Sequence, residues 1–374
     1  MIPLNRPGQL LPKIDSDYLS SHFVGQHHYF LPTAGDCLNL VYRKLYTERG
    51  SLKIAVSPLA CFQAIYPIIL NGHEPVFIDV NENTFNMNAS RLFEHQEVDA
   101  VEVIHLGGNP NEMDVIFRWA KENGKIIVED CAQALGSSFN DKELGTFGDY
   151  AAFSLIKNLH TAMGGLLLSR CQLNTSAFPH VSSLLVLYRR LKRSLESLSN
   201  HHTYNMWNVM YYLLLRLKEH GAPKPNDSVH RLPETTIKDL SVALGTIDNL
   251  NLRRNENYQY MTSMIDRSKF HLQEVPRGGI SNRNRLLLRM NEPKASQAIV
   301  ELRAAGIAAN NFTQNYLNGF QPHIRKDELL THYYRAENLT NYDVLYNRII
   351  AIPCSPFINL EEMDYIVNKL NHIK

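Results

Sequence analysis

Asp130 and Lys157 are the two side chains whose types and placement point to covalent chemistry. Asp130 closes the apolar run Lys125-Ile126-Ile127-Val128-Glu129-Asp130. Such a run reads as a buried parallel strand that delivers a carboxylate at its C-terminal end, where open α/β sheets bind ligands. Lys157 lies in Phe153-Ser154-Leu155-Ile156-Lys157-Asn158, after a second apolar strand and before Gly164-Gly165. A lysine amine forms an imine with an aldehyde, and a carboxylate facing a pyridine nitrogen keeps that nitrogen protonated, so the ring accepts electrons from a carbanion. The pair therefore suits pyridoxal 5'-phosphate. Taken singly, each residue has an ordinary alternative: strand-end aspartates cap helices or form turns, and a lone lysine is usually a solvated surface charge.

The elements that must position these groups alternate from about residue 33 to 170. Strands are expected at Lys53 to Ser57, Pro75 to Val80, Ala100 to Leu106, Lys125 to Asp130, Ala151 to Ser154 and Gly165 to Ser169. Helical periodicity fills the gaps, as in Met113 to Asn123, and Asn71-Gly72 and Gly107-Gly108-Asn109-Pro110 mark turns. The expected fold class is α/β, with a large domain built on a mainly parallel mixed sheet and a smaller C-terminal α+β domain. The boundaries are 1–264 for the large domain and 265–374 for the small one, with a helical insertion at 172–228. The insertion reads as a helical pair, Ser182 to Ser199 and Tyr204 to His220. Its second member carries the stripe Trp207, Met210, Tyr211, Leu214, Leu215 and Leu217, suited to packing on the main domain or on a twin subunit. Membrane-surface contact through Arg189, Arg190, Lys192 and Arg193 is the weaker reading of this segment. One long helix is expected from Ile237 to about Met264, then a strand at Arg348 to Pro353 and a capped helix beginning near Asn359-Leu360-Glu361-Glu362.

Composition narrows the classes of partner. The 374 residues suffice for about two domains with a sizeable core. Lys and Arg number 38 against 37 for Asp and Glu, so no net field favours nucleic acid or an anionic membrane. Five scattered cysteines, Cys37, Cys61, Cys131, Cys171 and Cys354, show no paired metal spacing and fit reduced thiols in a cytoplasm. The start, Met1-Ile2-Pro3-Leu4-Asn5-Arg6-Pro7, has no apolar core of signal-peptide length, and no apolar stretch approaches a membrane span, so a soluble protein is expected. The pairs His27-His28 and His201-His202 lack acidic or cysteine companions at ligand spacing and read as solvated loop residues, so no metal is expected.

The motifs together resemble the sugar aminotransferases of the DegT/StrS group, which are fold-type I pyridoxal-phosphate enzymes. The resemblance runs through Pro75-Val76-Phe77-Ile78-Asp79-Val80, His105-Leu106-Gly107-Gly108, Val128-Glu129-Asp130-Cys131-Ala132-Gln133-Ala134-Leu135-Gly136, Leu144-Gly145-Thr146-Phe147-Gly148-Asp149, and Lys157-Asn158-Leu159 leading to Gly164-Gly165. Ala305-Gly306-Ile307 and Arg348-Ile349-Ile350-Ala351-Ile352-Pro353 resemble the small-domain elements. The resemblance implies that Lys157 forms the imine, that Asp130 partners the pyridine nitrogen, and that Gln133 contacts the ring's phenolic oxygen. The backbone of Thr33-Ala34-Gly35 and the Thr33 hydroxyl would hold the phosphate at a helix N-terminus, with Ser154 adding a second hydroxyl. Phe62 aligns with the aromatic that stacks on the cofactor ring. There are departures. The Ser-x-x-Lys spacing is shorter than in many relatives, Met163 replaces an acidic residue before the double glycine, and His230-Arg231-Leu232-Pro233 lacks the asparagine that relatives lend to the neighbouring subunit's phosphate.

The implied activity is transfer of an amino group, from L-glutamate, to a nucleotide-linked keto-deoxysugar in surface polysaccharide or glycoside biosynthesis, by a homodimer. Arg231 is a candidate for meeting the substrate's diphosphate. Two rivals stand beside it. A sugar dehydratase of this group would carry histidine in place of Lys157, and a non-catalytic binding or regulatory protein would account for the altered loop and the insertion.

Overall fold

The computed structural model describes residues 18–198, 229–311 and 339–373. Strands β1 (His27–Leu31), β2 (Lys53–Val56), β3 (Glu74–Phe77), β4 (Ala100–Ile104) and β5 (Ile126–Asp130) are followed by the short β6 (Ser138–Phe139) and β7 (Lys142–Glu143), then β8 (Tyr150–Ser154) and β9 (Gly165–Ser169). Seven of these form one sheet in the order β1-β9-β8-β5-β4-β2-β3. The pairs from β8 through β3 are parallel, whereas β9 runs antiparallel to both its neighbours, so the sheet is mixed and mostly parallel.

The central strands are mostly apolar because helices cover both faces. Val101 and Val103 of β4 share a core with Ile116 and Trp119 of α4 (Met113–Asn123). Ala100 and Ile104, of opposite parity, pack with Leu38, Val41 and Leu45 of α2 (Ala34–Arg49) and with Ile65 and Ile68 of α3 (Phe62–Leu70).

A second, four-stranded antiparallel sheet has the order β10 (Phe270–Leu272), β12 (Leu286–Met290), β14 (Ile349–Ile352) and β13 (Asn310–Asn311), while β11 (Gly279–Ile280) pairs with β6. Residues Leu286, Leu288, Ile350 and Ile352 face a core shared with α9 (Ala295–Ala304) and α11 (Leu360–Asn371). The alternate residues Leu287, Ile349 and Ala351 pack against Leu59, Phe85 and Leu106, so the second sheet is joined to the first through an apolar seam.

Two expectations are corrected. His27 and His28 are exposed but stand on edge strand β1, not in a loop; with both faces of its first residues in water, that strand shows no apolar alternation. The single helix from Ile237 is two: α7 (Glu234–Leu244) and α8 (Ile247–Met264), parted at Gly245-Thr246, where the Thr246 hydroxyl donates to the Ala243 carbonyl at 2.7 Å. Of the helical pair, the first is α6 (Ser183–Leu198), while Tyr204 to His220 and the pair His201-His202 lie outside the described residues. Among the described residues no helix is long and apolar enough to cross a membrane.

Candidate active site

β5 ends on Asp130, and its register sets that side chain beside Ile104 of β4 and Ala152 of β8. One pocket is lined by Asp130, Gln133 and Lys157 together with His105, Cys61, Leu59, Ile104, Leu106 and Ala132. The structure thus brings Lys157 together with Asp130 and Gln133 at the end of β5. Asp130 Oδ1 accepts from the Ala132 N–H at 2.8 Å. Burial raises the Asp130 carboxyl pKa above its usual value, against the smaller opposing pulls of Lys157, the Ala132 N–H and His105. The Gln133 Oε1 is buried and has no hydrogen-bond partner among the described residues.

His105 is fixed by its neighbours. Its Nδ1 accepts from the Asn111 N–H at 3.2 Å, which leaves Nε2 as the protonated nitrogen, 3.4 Å from Glu129 Oε2. Glu129 precedes Asp130 on the strand and so points to the opposite face. There it accepts from three backbone donors: Gly145 at 2.8 Å, Phe147 at 2.8 Å and Gly148 at 2.6 Å. His105, Glu129 and Cys131 bring potential metal-binding atoms within 4.8 Å of one another. The Glu129 oxygens are already occupied by N–H groups and burial pushes the Cys131 thiol well up, so the trio is a hydrogen-bonded support rather than a metal centre.

Lys157 sits on α5 (Leu155–Asn158), a single turn whose carbonyls need outside donors. Asn158 is buried, donating to the Ala132 carbonyl at 3.0 Å and the Ser154 carbonyl at 2.7 Å. Its Oδ1 accepts from Asn282 at 3.2 Å and Asn284 at 3.3 Å, and Asn284 also donates to the Lys157 carbonyl at 3.2 Å. The lysine turn, the Asp130 loop and the segment before β12 are thereby stitched together. His160 follows in a left-handed conformation (φ 58°). Arg254 Nη2 lies 3.2 Å from His160 Nε2. Arginine only donates, so His160 carries its proton on the buried Nδ1, which has no partner among the described residues. Burial, followed by the charges of Arg254, Arg193 and Arg285, holds the His160 pKa well below its usual value.

At the expected phosphate end, Thr33 caps α2, but its hydroxyl accepts from the Asp36 N–H at 3.1 Å and donates to Asp36 Oδ2 at 2.7 Å. Burial raises the Asp36 carboxyl pKa, with the Thr33 hydrogen bonds acting in the opposite sense. A phosphate there would compete with Asp36 for Thr33. Ser154 is paired with Gly165 across the sheet, and a Cβ added at Gly165 would stand 2.3 Å from the Thr33 carbonyl oxygen and 2.7 Å from the Ala34 nitrogen. Only glycine allows β9 this close to the Thr33-Ala34 backbone. Thr33, Ala34 and Ser154 thus share one end of the sheet, although none is among the residues lining the Asp130 pocket. The backbone of Phe62 opens α3, and its side chain lies outside the described residues. Arg231 is placed elsewhere: its Nε donates to the Phe178 carbonyl at 2.9 Å and it lines a groove of about 1100 Å³ beside β1.

An amine, a buried carboxylate and an unpartnered amide oxygen on one pocket fit the aldehyde, ring nitrogen and phenolic oxygen of pyridoxal 5'-phosphate, and the first turn of α2 offers backbone N–H groups for its phosphate.

The fold is that of the fold-type I pyridoxal-phosphate transferases. A solved structure of the putative sugar aminotransferase Spr1654 from Streptococcus pneumoniae in its PLP form is similar at a TM-score of 0.64 and 21% identity, over 92% of this chain and 86% of that one. Residues 22–177 match the model of the DegT/DnrJ/EryC1/StrS aminotransferase family. GDP-perosamine synthase of Escherichia coli O157:H7 is 27% identical over 170 residues, a stretch covering 44% of this chain and 46% of that protein. The dTDP-3-amino-3,6-dideoxy-alpha-D-galactopyranose transaminase of Aneurinibacillus thermoaerophilus is 24% identical over 341 residues, covering 90% of this chain and 82% of the relative.

Sequence reasoning included His105, Glu129 and Asn158 in the motifs without giving them a role, and passed over Asn282, Asn284 and Arg254. The available signal was a charged residue inside an apolar run, as at Glu129, and an asparagine directly after the lysine.

Proposed function

We propose that this chain is a pyridoxal-phosphate aminotransferase that moves an amino group, with L-glutamate as donor, onto a keto carbon of a nucleotide-linked deoxysugar in surface polysaccharide or glycoside biosynthesis. The observation that carries the reading is the convergence of Asp130, Gln133 and Lys157 on one pocket; the match of residues 22–177 to the aminotransferase family model and the transaminases among the relatives support it. When bound, the cofactor supplies an electron sink for the substrate carbanion. The Asp130 carboxylate keeps a proton on the ring nitrogen, and the Gln133 amide, able to donate and accept, meets the ring oxygen in either protonation state. Lys157 Nζ would hold the cofactor until substrate displaces it, and the freed amine would then act as the base that carries a proton between the substrate carbon bearing the nitrogen and the cofactor carbon joined to that nitrogen. Lysine at this position, rather than histidine, argues against the dehydratase. The proposal includes a homodimer, a cytoplasmic setting and a division between large and small domains near residue 264.

The test is borohydride reduction of the protein saturated with pyridoxal 5'-phosphate. Cofactor mass attached to the peptide containing Lys157 is expected, as is amination of one member of a panel of nucleotide-linked keto sugars with glutamate as donor. Attachment at another lysine, or none at saturation, would overturn the assignment.

A further inference from the structure

Helix α6 interrupts the strand-and-helix alternation and lies outside the family match, which ends at residue 177. It nevertheless reaches the lysine turn. Arg193, on α6, donates from Nε to the His160 carbonyl at 3.0 Å. Arg254 of α8 donates from Nη2 to the Asn158 carbonyl, and Asn284 donates to the Lys157 carbonyl at 3.2 Å. Three carbonyls at the end of a one-turn helix are thus capped by side chains from three separate parts of the chain. Cations suit this end of a helix because its carbonyls carry the negative pole. His160 occupies the left-handed position just past the helix, which glycine usually takes. Its ring is held edge-on to Phe357 at 5.3 Å between centroids, and its Nε2 accepts from Arg254. α6 is also tethered independently of the lysine turn: Arg190, on the same helix, bonds Asp239 of α7 at 2.6 Å.

We propose that Arg193 is a positioning residue for Lys157 and that α6 is the element that delivers it, locking the lysine-bearing turn by capping the His160 carbonyl. This rests on the reading of Lys157 as the reactive amine. Arg193 touches neither substrate nor cofactor; it acts through the backbone between Lys157 and Gly164. Without it the carbonyl beyond the turn loses a charged donor, the left-handed bend at His160 relaxes, and Lys157 Nζ samples positions away from Asp130 and Gln133.

Two readouts separate this clamp from simple packing of α6. In the cofactor-free protein, hydrogen exchange of the Leu159 amide, which is bonded to the Leu155 carbonyl at 2.8 Å, reports the turn directly. Arg193→Ala should speed it by at least about fivefold, on the scale of losing one hydrogen bond to a charged group, while Arg190→Ala leaves it at the wild-type rate. In the loaded protein, Arg193→Ala should shift the pH at which the cofactor's visible absorbance titrates and lower kcat with little change in KM. Arg193→Lys, which keeps a cation there, should restore part of both effects. Equal responses to Arg190→Ala and Arg193→Ala, or none to Arg193→Ala, would overturn the clamp. A wild-type protein that never takes up the cofactor would defeat the functional reading, while the exchange measurement would still decide the clamp. Should Arg193→Ala not fold, the comparison of Arg193→Lys with Arg190→Ala decides it.

Discussion

At the residue scale, the groups that were legible are those whose chemistry is announced by position. Asp130 and Lys157 each follow an apolar run, so a strand end could be inferred and a ligand placed there. Asp130→Asn should leave the fold intact and lower turnover by at least about 10²-fold, the low end for losing a positioned electrostatic or acid–base group; a near-normal rate would make Asp130 a turn former. Glu102 was not legible, because its apolar strand gives no hint of the partner waiting opposite. It is fully buried, accepts from the Tyr42 hydroxyl, and its Oε1 has no partner among the described residues. Burial, then the nearby Asp130 charge, pushes its carboxyl well above the usual range. A raised pKa means the folded state holds this proton where the unfolded chain releases it, so the stability due to Glu102 is complete below the unfolded value and declines as pH rises towards the folded one. Urea unfolding from acid to neutral pH should show this decline in the wild type and a shallower one in Glu102→Gln. Parallel curves would mean that Glu102 is ionised in the folded protein.

At the element scale, the strands of the parallel sheet were readable because both of their faces are covered. The boundaries shifted by one to three residues where the apolar run continues past the last ladder bond, as from Phe77 to Val80. The break at Gly245-Thr246 was hidden because residues on either side keep helical spacing. α11 was legible from its start signal, and the structure contains the full capping box: Asn359 Oδ1 accepts from the Glu362 N–H at 2.9 Å, and Glu362 Oε2 accepts from the Asn359 N–H at 3.1 Å. Asn359→Ala should lower the unfolding free energy by about 1 kcal/mol, read as a shift in urea midpoint at unchanged slope; a shift indistinguishable from zero would show that the helix is held by Met363, Ile366 and Leu370 alone.

At the scale of the whole molecule, the α/β class with its mostly parallel mixed sheet was readable, but the contacts between that sheet and the C-terminal antiparallel one were not. The asparagines around Lys157 come from residues 158, 282 and 284, and no local pattern predicts that such distant residues meet. α6 leaves Leu184, Leu185, Leu187 and Leu191 exposed, Leu184 to 78%. Apolar surface in a continuous stripe calls for cover, and a two-fold partner is the expectation in line with the proposed homodimer. Sedimentation at low micromolar concentration should give one species of twice the chain mass. A fully active monomer would contradict it.

The edge of the main sheet has a bearing on how the protein is made. β1 precedes the other strands of the main sheet along the chain, yet among the described strands it pairs only with β9, matching His27 to Ser169 and Leu31 to Gly165. Pro32, at the mouth of the Thr33 loop, receives its bond from Gly164 at 2.9 Å. A nascent chain that has not yet emerged as far as residue 169 can assemble β2 to β5, but its opening strand waits unpaired, and the loop expected to hold the phosphate has nothing to close against. If the Thr33 loop holds the cofactor phosphate as proposed, uptake is confined to chains whose central sheet is complete, and a stalled translation product would carry a finished Asp130 strand without the means to retain the ligand.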